Sequence, residues 1–334
     1  MSQFTFRTSD TVELIVLSAL WGASFLFMRI AVPALGPIPA IALRVGIAAL
    51  FLVAALALRG GVSSLRGRVL HVCVLGAINS ALPFCLIAYA ILSLTAGFAS
   101  ILNATAPLWG GLVAHVWLKD RLDRSRALGL LIGFAGIAFL FWGRASFRPG
   151  GAGLAVIAAV AATLSYGIAA SYAKRFLRGV EPLAVAAGSQ AAAALLLAPG
   201  ALAFWPRHAV GWEPWAAVGA LGVASTAVGF VLYFRLIANV GAARAIAVTF
   251  LVPPFAVAWG ALVLAESLTP RMLAGAVVVL TGTALATGLV KLPARGRAQH
   301  NAPSPKTRIT APATRRRGMS QQANLRAPAA PDEP

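Results

Sequence analysis

Charged residues are scarce in this sequence, and their scarcity excludes a soluble globular protein. Only 11% of the 334 residues are Asp, Glu, Lys or Arg, whereas 59% are hydrophobic and the mean hydropathy is +0.82. A soluble core of this size needs far more polar surface to cover it. The composition therefore predicts that the lipid bilayer is the natural solvent of this chain.

Cysteine and histidine are also scarce, and their spacing does not suit a reactive site. Cys73 and Cys85 lie on one apolar run, about 18 Å apart along a helix, which is too far for a disulfide. The four histidines lack the spacing of metal ligands and stand at His71, His115, His208 and His300. An enzyme would need a nucleophile–base pair, metal ligands or a phosphate-binding turn. We therefore expect no enzymatic activity, no metal and no cofactor.

Long apolar runs dominate the rest of the chain. A helix needs roughly 20 residues to cross a hydrocarbon core of about 30 Å. Ten apolar runs follow one another, at approximately residues 14–32, 38–58, 69–92, 96–118, 127–143, 153–173, 182–205, 214–234, 245–265 and 272–290. The connections between them are short. The pattern predicts an all-α polytopic membrane protein with ten transmembrane helices, numbered 1 to 10 below.

The chain contains an internal repeat. A shift of 146 positions lays residues 107–136 on residues 253–282 without a gap, including Pro107 on Pro253 and Asp120 on Glu266. Each repeat holds five helices, and an odd number inverts the second copy relative to the first. We predict two inverted five-helix repeats around a central cavity, at residues 1–150 and 151–292. Residues 293–334 form a separate basic tail that is expected to be disordered.

The basic residues predict the orientation in the membrane. Although the formal charge is +19, nine of the 28 Lys and Arg residues lie beyond residue 290 and most others lie in turns, which argues against a nucleic-acid partner. With ten alternating helices, one side carries thirteen Lys and Arg residues and the other only five. The positive-inside rule then predicts that both termini lie in the cytoplasm. The expected location of the chain is the inner cell membrane. The basic cluster at 315–317 either rests on anionic lipid head groups or stays solvated.

Polar residues at membrane depth are the candidates for a binding site. Arg44 lies two turns inside helix 2, where it either faces a cavity or reaches back to the interface, and its counterpart is Gln190. Asn79 with Ser80, and Ser225 with Thr226, occupy equivalent places in helices 3 and 8. These couples either line a cavity or hold helices together.

Prolines mark helices 4 and 9. Pro107 frees the carbonyl of Asn103, and Pro253 frees that of Thr249. Interrupted helices at matching places in two halves indicate a transport site, although simple kinks for packing are the alternative. Asp120 and Glu266, in the turns that follow, are expected to bond helix ends and to balance Lys119 or Arg121.

Aromatic residues and glycines complete the pattern. Trp21, Phe25, Tyr166 and Trp109 are candidate cavity residues. For Trp21 and Phe25 in helix 1, and for Tyr166 in the equivalent helix 6, simple packing is the alternative. Glycines recur in helices 5 and 10, at Gly129, Gly133, Gly136, Gly275 and Gly282. Small residues at this spacing suit close helix contact, either within the chain or across a homodimer.

The arrangement resembles the drug/metabolite transporter (DMT) superfamily, specifically its ten-helix EamA-type members, over about residues 12–290. The resemblance is carried by Trp21, Gly22 and Phe25 in helix 1, Pro39 and Arg44 in helix 2, the stretch from Ala106 to Leu122, and its repeat from Pro253 to Leu268, each followed by glycines. Asp120 departs from the glutamate that is usual at that position. The resemblance implies a cavity lined by helices 1, 3, 4, 6, 8 and 9, and export or exchange of small metabolites by alternating access.

The charged residues within and beside the helices indicate a class of substrate. No carboxylate lies in the middle of a predicted helix, so a cationic substrate is disfavoured, whereas Arg44 suits a carboxylate. Amino acids or related zwitterionic or anionic solutes are therefore expected as small-molecule substrates. Export of neutral drug-like compounds and a non-transporting receptor or scaffold are the alternatives. The candidate substrate-binding residues are Trp21, Phe25, Arg44, Asn79, Ser80, Asn103, Pro107, Trp109, Tyr166, Gln190, Ser225, Thr226, Thr249 and Pro253.

Overall fold

The predicted ten helices are present in the structure. A computed structural model describes residues 8–142, 152–241 and 245–290, except the side chains of Val62 and Ser63. The helices are α1 (Thr8–Leu35), α2 (Pro37–Leu58), α3 (Val69–Ile91), α4 (Ala96–Leu118), α5 (Arg124–Phe141), α6 (Gly153–Phe176), α7 (Pro182–Ala203), α8 (Trp212–Val240), α9 (Val248–Leu264) and α10 (Pro270–Thr287). Nine of these helices have at least 18 residues and enough hydropathy to cross a membrane. Helix α9 is apolar and has 17 residues. The expected tail, residues 293–334, lies outside the described residues.

The second half is inverted relative to the first, as predicted. The main-chain N–H of Ala96, at the start of α4, donates to Glu266 Oε1 over 3.0 Å. Asp120 follows the other end of the same helix, whose 23 residues make it roughly 35 Å long. The two equivalent acidic turns therefore lie at opposite ends of the helix bundle. We refer to these ends as the Asp120 end and the Glu266 end.

Side-chain caps begin the helices that follow the acidic turns. Asp123 Oδ1 accepts from the main-chain N–H of Arg126 at 2.9 Å, and Thr269 Oγ1 accepts from that of Met272 at 3.2 Å. Pro270 stands at the first position of α10. Such caps satisfy donors that the first helical turn leaves without a partner. Asp and Thr are favoured N-cap residues, so both caps follow from the local sequence.

The glycines of α5 and α10 pack against each other within the chain. A Cβ at Gly129 would lie 2.7 Å from the carbonyl oxygen of Gly282, and one at Gly136 would lie 2.9 Å from a methyl group of Val279. Of the two interpretations of these glycines, the contact within the chain is therefore confirmed. A homodimer through these helices stays a prediction, and it would have to use their other faces.

Equivalent close contacts join the two halves near the middle of the bundle. A Cβ added at Gly22 of α1 would lie 2.7 Å from Phe255 Cβ of α9. A Cβ added at Gly167 of α6 would lie 2.7 Å from the main chain of Trp109 in α4. The repeat relates Gly22 to Gly167 and Trp109 to Phe255. Gly22 and Gly167 thus allow close backbone approach, and each half contributes helices to the packing of the other.

Helices α3 and α8 each contain a π-helical segment that the sequence did not reveal. The segments are Ala77–Ala81 and Leu221–Val228, and the internal repeat superimposes them. In the second, Thr226 Oγ1 donates to the carbonyl of Leu221, five residues earlier, over 2.8 Å. Wider π turns often occur at functional sites because they redirect side chains and carbonyl groups. Here they carry the two polar couples.

The predicted interruptions of α4 and α9 are not equivalent, which corrects the expectation for Pro253. Helix α4 breaks at Ala104 and Thr105, just before Pro107, and Thr283 Oγ1 donates to the carbonyl of Ala104 over 3.3 Å. Helix α9 instead continues through Pro253 and its neighbour. Five residues of α9 precede Pro253, and a turn at residues 246 and 247 lies before them. The corresponding part of α4 has eight residues and a Thr95 cap.

Candidate functional site

Arg44 lies inside the bundle and contacts three other helices. Its Nε donates to Thr226 Oγ1 of α8 over 3.0 Å, and its Nη1 lies 3.7 Å from Met28 Sδ of α1. The guanidinium carbon stands 3.7 Å from the ring centroid of Phe84 in α3. The side chain is 7% exposed. It therefore points into the protein rather than back to the membrane interface.

The charge of Arg44 has no carboxylate partner among the described residues. None of the ion pairs in the described part of the chain includes it, and a charge at this depth costs about 3 kcal/mol on insertion scales. The ring of Phe84 stabilises the cation through its π face. Nη2 donates to no group among the described residues. A planar guanidinium with spare donors suits two-point binding of a carboxylate or phosphate.

Gln190 forms the equivalent bond in the second half. Its Nε2 donates to Ser80 Oγ over 2.9 Å, and both side chains are fully buried. The repeat relates Gln190 to Arg44 and Ser80 to Thr226. Its Oε1 is buried without a hydrogen-bond partner in the described part of the chain. The two pairs have the same geometry of contact, but only the first carries a charge.

The other members of the polar couples join neighbouring helices. Ser225 Oγ donates to the carbonyl of Leu20 in α1 over 2.8 Å. Asn79 is half-buried on the π turn of α3. Ser165 of α6, which the sequence analysis missed, donates to the carbonyl of Ile78 on that same turn over 2.6 Å. The sequence signal that could have identified Ser165 is its position next to Tyr166, a candidate cavity residue.

Aromatic residues surround this polar centre. Trp21 of α1 lies 5.1 Å from Tyr233 of α8, measured between ring centroids, and Tyr166 of α6 lies 6.3 Å from Phe84. Phe25 is buried in the same core cluster. Phe84 and Tyr233 were not among the predicted site residues. Tyr166 is thereby placed next to the ring on which Arg44 lies.

None of the described contacts of the candidate residues on α4 and α9 involves Arg44. The Trp109 ring packs 4.8 Å from Phe134 of α5 and lines a groove of about 470 Å³ between α4, α5 and α6. Pro107 is half-buried and Pro253 is buried, while Thr249 Oγ1 donates to the carbonyl of Ile246 over 2.8 Å. Asn103 Oδ1 and Trp109 Nε1 are buried without partners among the described residues. Their role in binding stays a prediction.

Each acidic turn is tied to a basic residue near the end of another helix. At the Glu266 end, Glu266 Oε1 lies 3.7 Å from Arg29 Nε. At the Asp120 end, Asp120 Oδ2 accepts from Lys174 Nζ over 2.8 Å. Glu266 also bonds the start of α4, as predicted, whereas the described side-chain bond of Asp120 is to Lys174 alone. The basic partners of the two acids are not Lys119 or Arg121.

Two further acids lie at the Asp120 end, within α1. The helix begins six residues earlier than the predicted run, so Asp10 and Glu13 belong to its first turns. Asn239 Nδ2 donates to Asp10 Oδ1 over 3.1 Å, and Arg235 Nε lies 3.2 Å from Glu13 Oε1. Both acids are buried. They fasten the end of α8 to the start of α1, a contact that hydropathy alone does not predict.

The fold and the site define a polytopic membrane protein built from inverted repeats, the architecture of secondary transporters. The chain belongs to the EamA-like transporter family, whose model matches residues 12–142 and 153–288, one match in each half. This result confirms the resemblance to EamA-type members of the DMT superfamily. Among the described residues, no three His, Cys, Asp or Glu side chains are grouped as metal ligands.

Similar proteins support this assignment. The uncharacterized transporter YoaV of Bacillus subtilis (strain 168) is 24% identical over 199 residues, which are 59% of this chain and 68% of that protein. The uncharacterized transporter YvbV of the same organism is 26% identical over 58% of this chain and 63% of its own length. The uncharacterized protein PA1977 of Pseudomonas aeruginosa is 32% identical over 59% of this chain and 67% of its own. One crystal structure covers 85% of this chain with a TM-score of 0.61 and 24% identity, which shows the same fold.

Proposed function

We propose that this protein is a secondary transporter that exports or exchanges small carboxylate-bearing metabolites by alternating access. Amino acids and related zwitterionic or anionic solutes form the proposed substrate class. Membership of a transporter family and the inverted repeats support transport as such. The substrate class rests on Arg44.

The single observation that carries the proposal is the buried Arg44 guanidinium, which pairs with no carboxylate in the part of the chain that the structure describes. Its protein contacts are a hydroxyl, a thioether and an aromatic face. These neutral groups orient the cation but do not neutralise it. A substrate carboxylate would provide the missing negative charge and would accept hydrogen bonds from Nη2.

The surroundings suit a small solute with an apolar portion. Phe84 fixes the plane of the guanidinium, and Tyr166 lies beside Phe84. Trp21 and Tyr233 form a second aromatic pair between α1 and α8. A carboxylate bound at Arg44 would leave the rest of the solute among these rings. Such pockets combine apolar walls with a few convergent polar groups.

The proposed orientation places the Asp120 end in the cytoplasm. The turns at this end carry exposed basic residues, among them Arg59, Arg66, Arg68, Lys119 and Arg178. The positive-inside rule supports this placement. Labelling of single cysteines introduced beside Asp120 and beside Glu266 in intact cells tests it, and external labelling of the Asp120 turn would refute it.

Transport into proteoliposomes tests the role of Arg44. We expect Arg44→Gln to reduce uptake of carboxylate substrates about tenfold or more, since a charged hydrogen bond is lost. Arg44→Lys keeps the positive charge but loses the paired donors of the planar guanidinium, so it should retain part of the activity. Arg59→Gln, an exposed arginine after the end of α2, is the matched control. Equal effects of Arg44→Gln on a carboxylate and on its neutral amide would refute the proposal.

A second candidate function is export of neutral drug-like compounds. Its support is a groove of about 440 Å³ with apolar walls at the Glu266 end, lined by the start of α2, the second half of α3 and Phe204. Pro39, Cys85 and Tyr89 belong to this lining. Lipophilic compounds could enter such a groove from the bilayer. Resistance of producing cells to neutral toxic compounds that survives Arg44→Gln would favour this alternative.

A further inference from the structure

We propose that Arg29 and Glu266 act as a clamp that closes the Glu266 end by holding the hairpin of α3 and α4. The equivalent pair at the Asp120 end is Lys174 and Asp120, which joins α6 to the acidic turn after α4. This inference rests on the proposed function, because it assigns which end is closed in a cycle of alternating access.

The two pairs are related by the internal repeat. Asp120 corresponds to Glu266 at the 146-residue shift. Lys174 corresponds to Arg29 at a shift of 145, the same one-residue slip that relates Gly22 of α1 to Gly167 of α6. Arg29 lies on α1, which packs against α9, and it approaches the acid in the turn after α9. In the same way, Lys174 lies on α6, which packs against α4, and it approaches the acid in the turn after α4. An inverted repeat thus places one pair at each end of the bundle.

The pair at the Glu266 end also holds both sides of the α3–α4 hairpin. Arg29 Nη1 donates to the carbonyl of Ile91, the last residue of α3, over 2.9 Å. Glu266 Oε1 accepts from the main-chain N–H of Ala96, the first residue of α4, over 3.0 Å. A carboxylate at a helix N-terminus is favoured by the exposed donors and the helix dipole. Ile91, Leu94 and Ala96 are at most 1% exposed, so the hairpin tip is packed into the bundle.

Among the described residues, the ion pair at the Asp120 end is more exposed than the ion pair at the Glu266 end. Lys174 Nζ donates to Asp120, and the two side chains are 61% and 45% exposed, against 34% and 11% for Arg29 and Glu266. The equivalent of Ile91 is Ile237, whose carbonyl accepts from the main-chain N–H of Gly241.

The end of α8 is instead held by α1. Asn239 donates to Asp10, and Arg235 pairs with Glu13. The repeat relates Asp10 to Ala155 and Asn239 to Ser93, residues that cannot form the same carboxylate contact at the Glu266 end. The hairpin of α3 and α4 is thus held by Arg29 and Glu266, whereas the end of α8 is held by Asp10 and Glu13 of α1.

Cysteine protection in nanodiscs tests the clamp without any substrate. Ala90 of α3 and Leu236 of α8 are equivalent in the repeat and both are 0% exposed. A cysteine is introduced at one of these positions after Cys73 and Cys85 are changed to serine. The rate of its reaction with a bulky, charged maleimide reports opening of the Glu266 end for Ala90→Cys and of the Asp120 end for Leu236→Cys.

Glu266→Ala should raise the labelling rate at position 90 about tenfold, because the charged bond to the hairpin is lost. Glu266→Gln should raise it less, since the amide oxygen can still accept from Ala96. Asp120→Ala, the matched control, should leave position 90 unchanged. An unchanged rate at position 90 in Glu266→Ala, or an equal rise in Asp120→Ala, would overturn the clamp.

The second reporter separates opening from general unfolding. A damaged fold would raise labelling at positions 90 and 236 together, whereas release of the clamp should raise it at position 90 alone. A joint rise in both Glu266 variants would therefore count against the proposal. Failure of the Arg44 experiment would remove the substrate class and leave this result untouched, since the labelling needs no substrate.

Discussion

Arg44 Nε lies 3.0 Å from Thr226 Oγ1, and the residues that the repeat relates to them, Gln190 and Ser80, form a bond of 2.9 Å. One bond ties α2 to α8, and the other ties α7 to α3. The duplicated unit therefore kept the position of the contact but changed its charge in one copy. A purely structural contact needs no charge, since Gln190 makes it without one. The charge of Arg44 is the feature that packing leaves unexplained.

Arg44→Gln should fold as well as the parent protein. A glutamine at this position can donate to Thr226 as Gln190 donates to Ser80, and the cost of a buried charge disappears. We expect its apparent Tm in detergent to equal or exceed that of the parent, while carboxylate transport falls. A large loss of Tm would mean that the charge itself is needed for folding.

Thr226→Val should weaken carboxylate transport more than Ser80→Ala does. Thr226 is the acceptor that orients the charged side chain, whereas Ser80 accepts from the neutral Gln190. Each change removes one interhelical hydrogen bond of about 1 kcal/mol or less, so their effects on Tm should be alike. Substrate KM in proteoliposomes is the deciding measurement, and equal KM values would remove Thr226 from the site.

Gly129→Val should destabilise the protein by several kcal/mol, in the range of severe overpacking. The added side chain would meet the main chain of α10 at Gly282 and Leu285, which cannot move like a flexible side chain. Gly46→Ala, with no atom within 4 Å of the added Cβ, is the control and should stabilise by up to about 1 kcal/mol. Thermal unfolding followed by fluorescence compares the two. Similar Tm values would contradict the close α5–α10 contact.

Deletion of residues 293–334 should preserve transport. The candidate site and the clamp consist of residues before this segment, and the family match ends at residue 288. Initial uptake rates of the truncated and full-length proteins, corrected for the amount reconstituted, provide the comparison. A truncated protein that elutes as a single species but transports poorly would show that the tail takes part in function.

Much of the architecture could be predicted because it follows from local hydropathy and from the repeat. The ten helices, the inverted second half and the caps at Asp123 and Thr269 all depend on residues close together in sequence or on the odd helix count. The bilayer enforces this simplicity, since helices are the structures that satisfy their own backbone within lipid. The role of the α5 and α10 glycines followed from the same local pattern.

The site was predicted only in part. Arg44, Gln190, Ser80 and Thr226 are buried and paired, and their role in binding substrate stays a prediction. The two pairs join residues 110 and 182 positions apart, which local patterns do not predict. Pro253 lies inside α9 and does not interrupt it, whereas Pro107 follows a break in α4. Trp109 packs against Phe134, away from the described contacts of Arg44.

The sequence by itself determined that this chain lies in a membrane, that it consists of two inverted five-helix units, and that polar groups recur at matching depths. Only the tertiary structure decided that Arg44 rests on Phe84 without a carboxylate, that Glu266 holds the start of α4, and that Asp10 and Glu13 secure the end of α8. The physical reason is that hydropathy acts on each segment separately, whereas the partner of a polar side chain depends on which helices pack together.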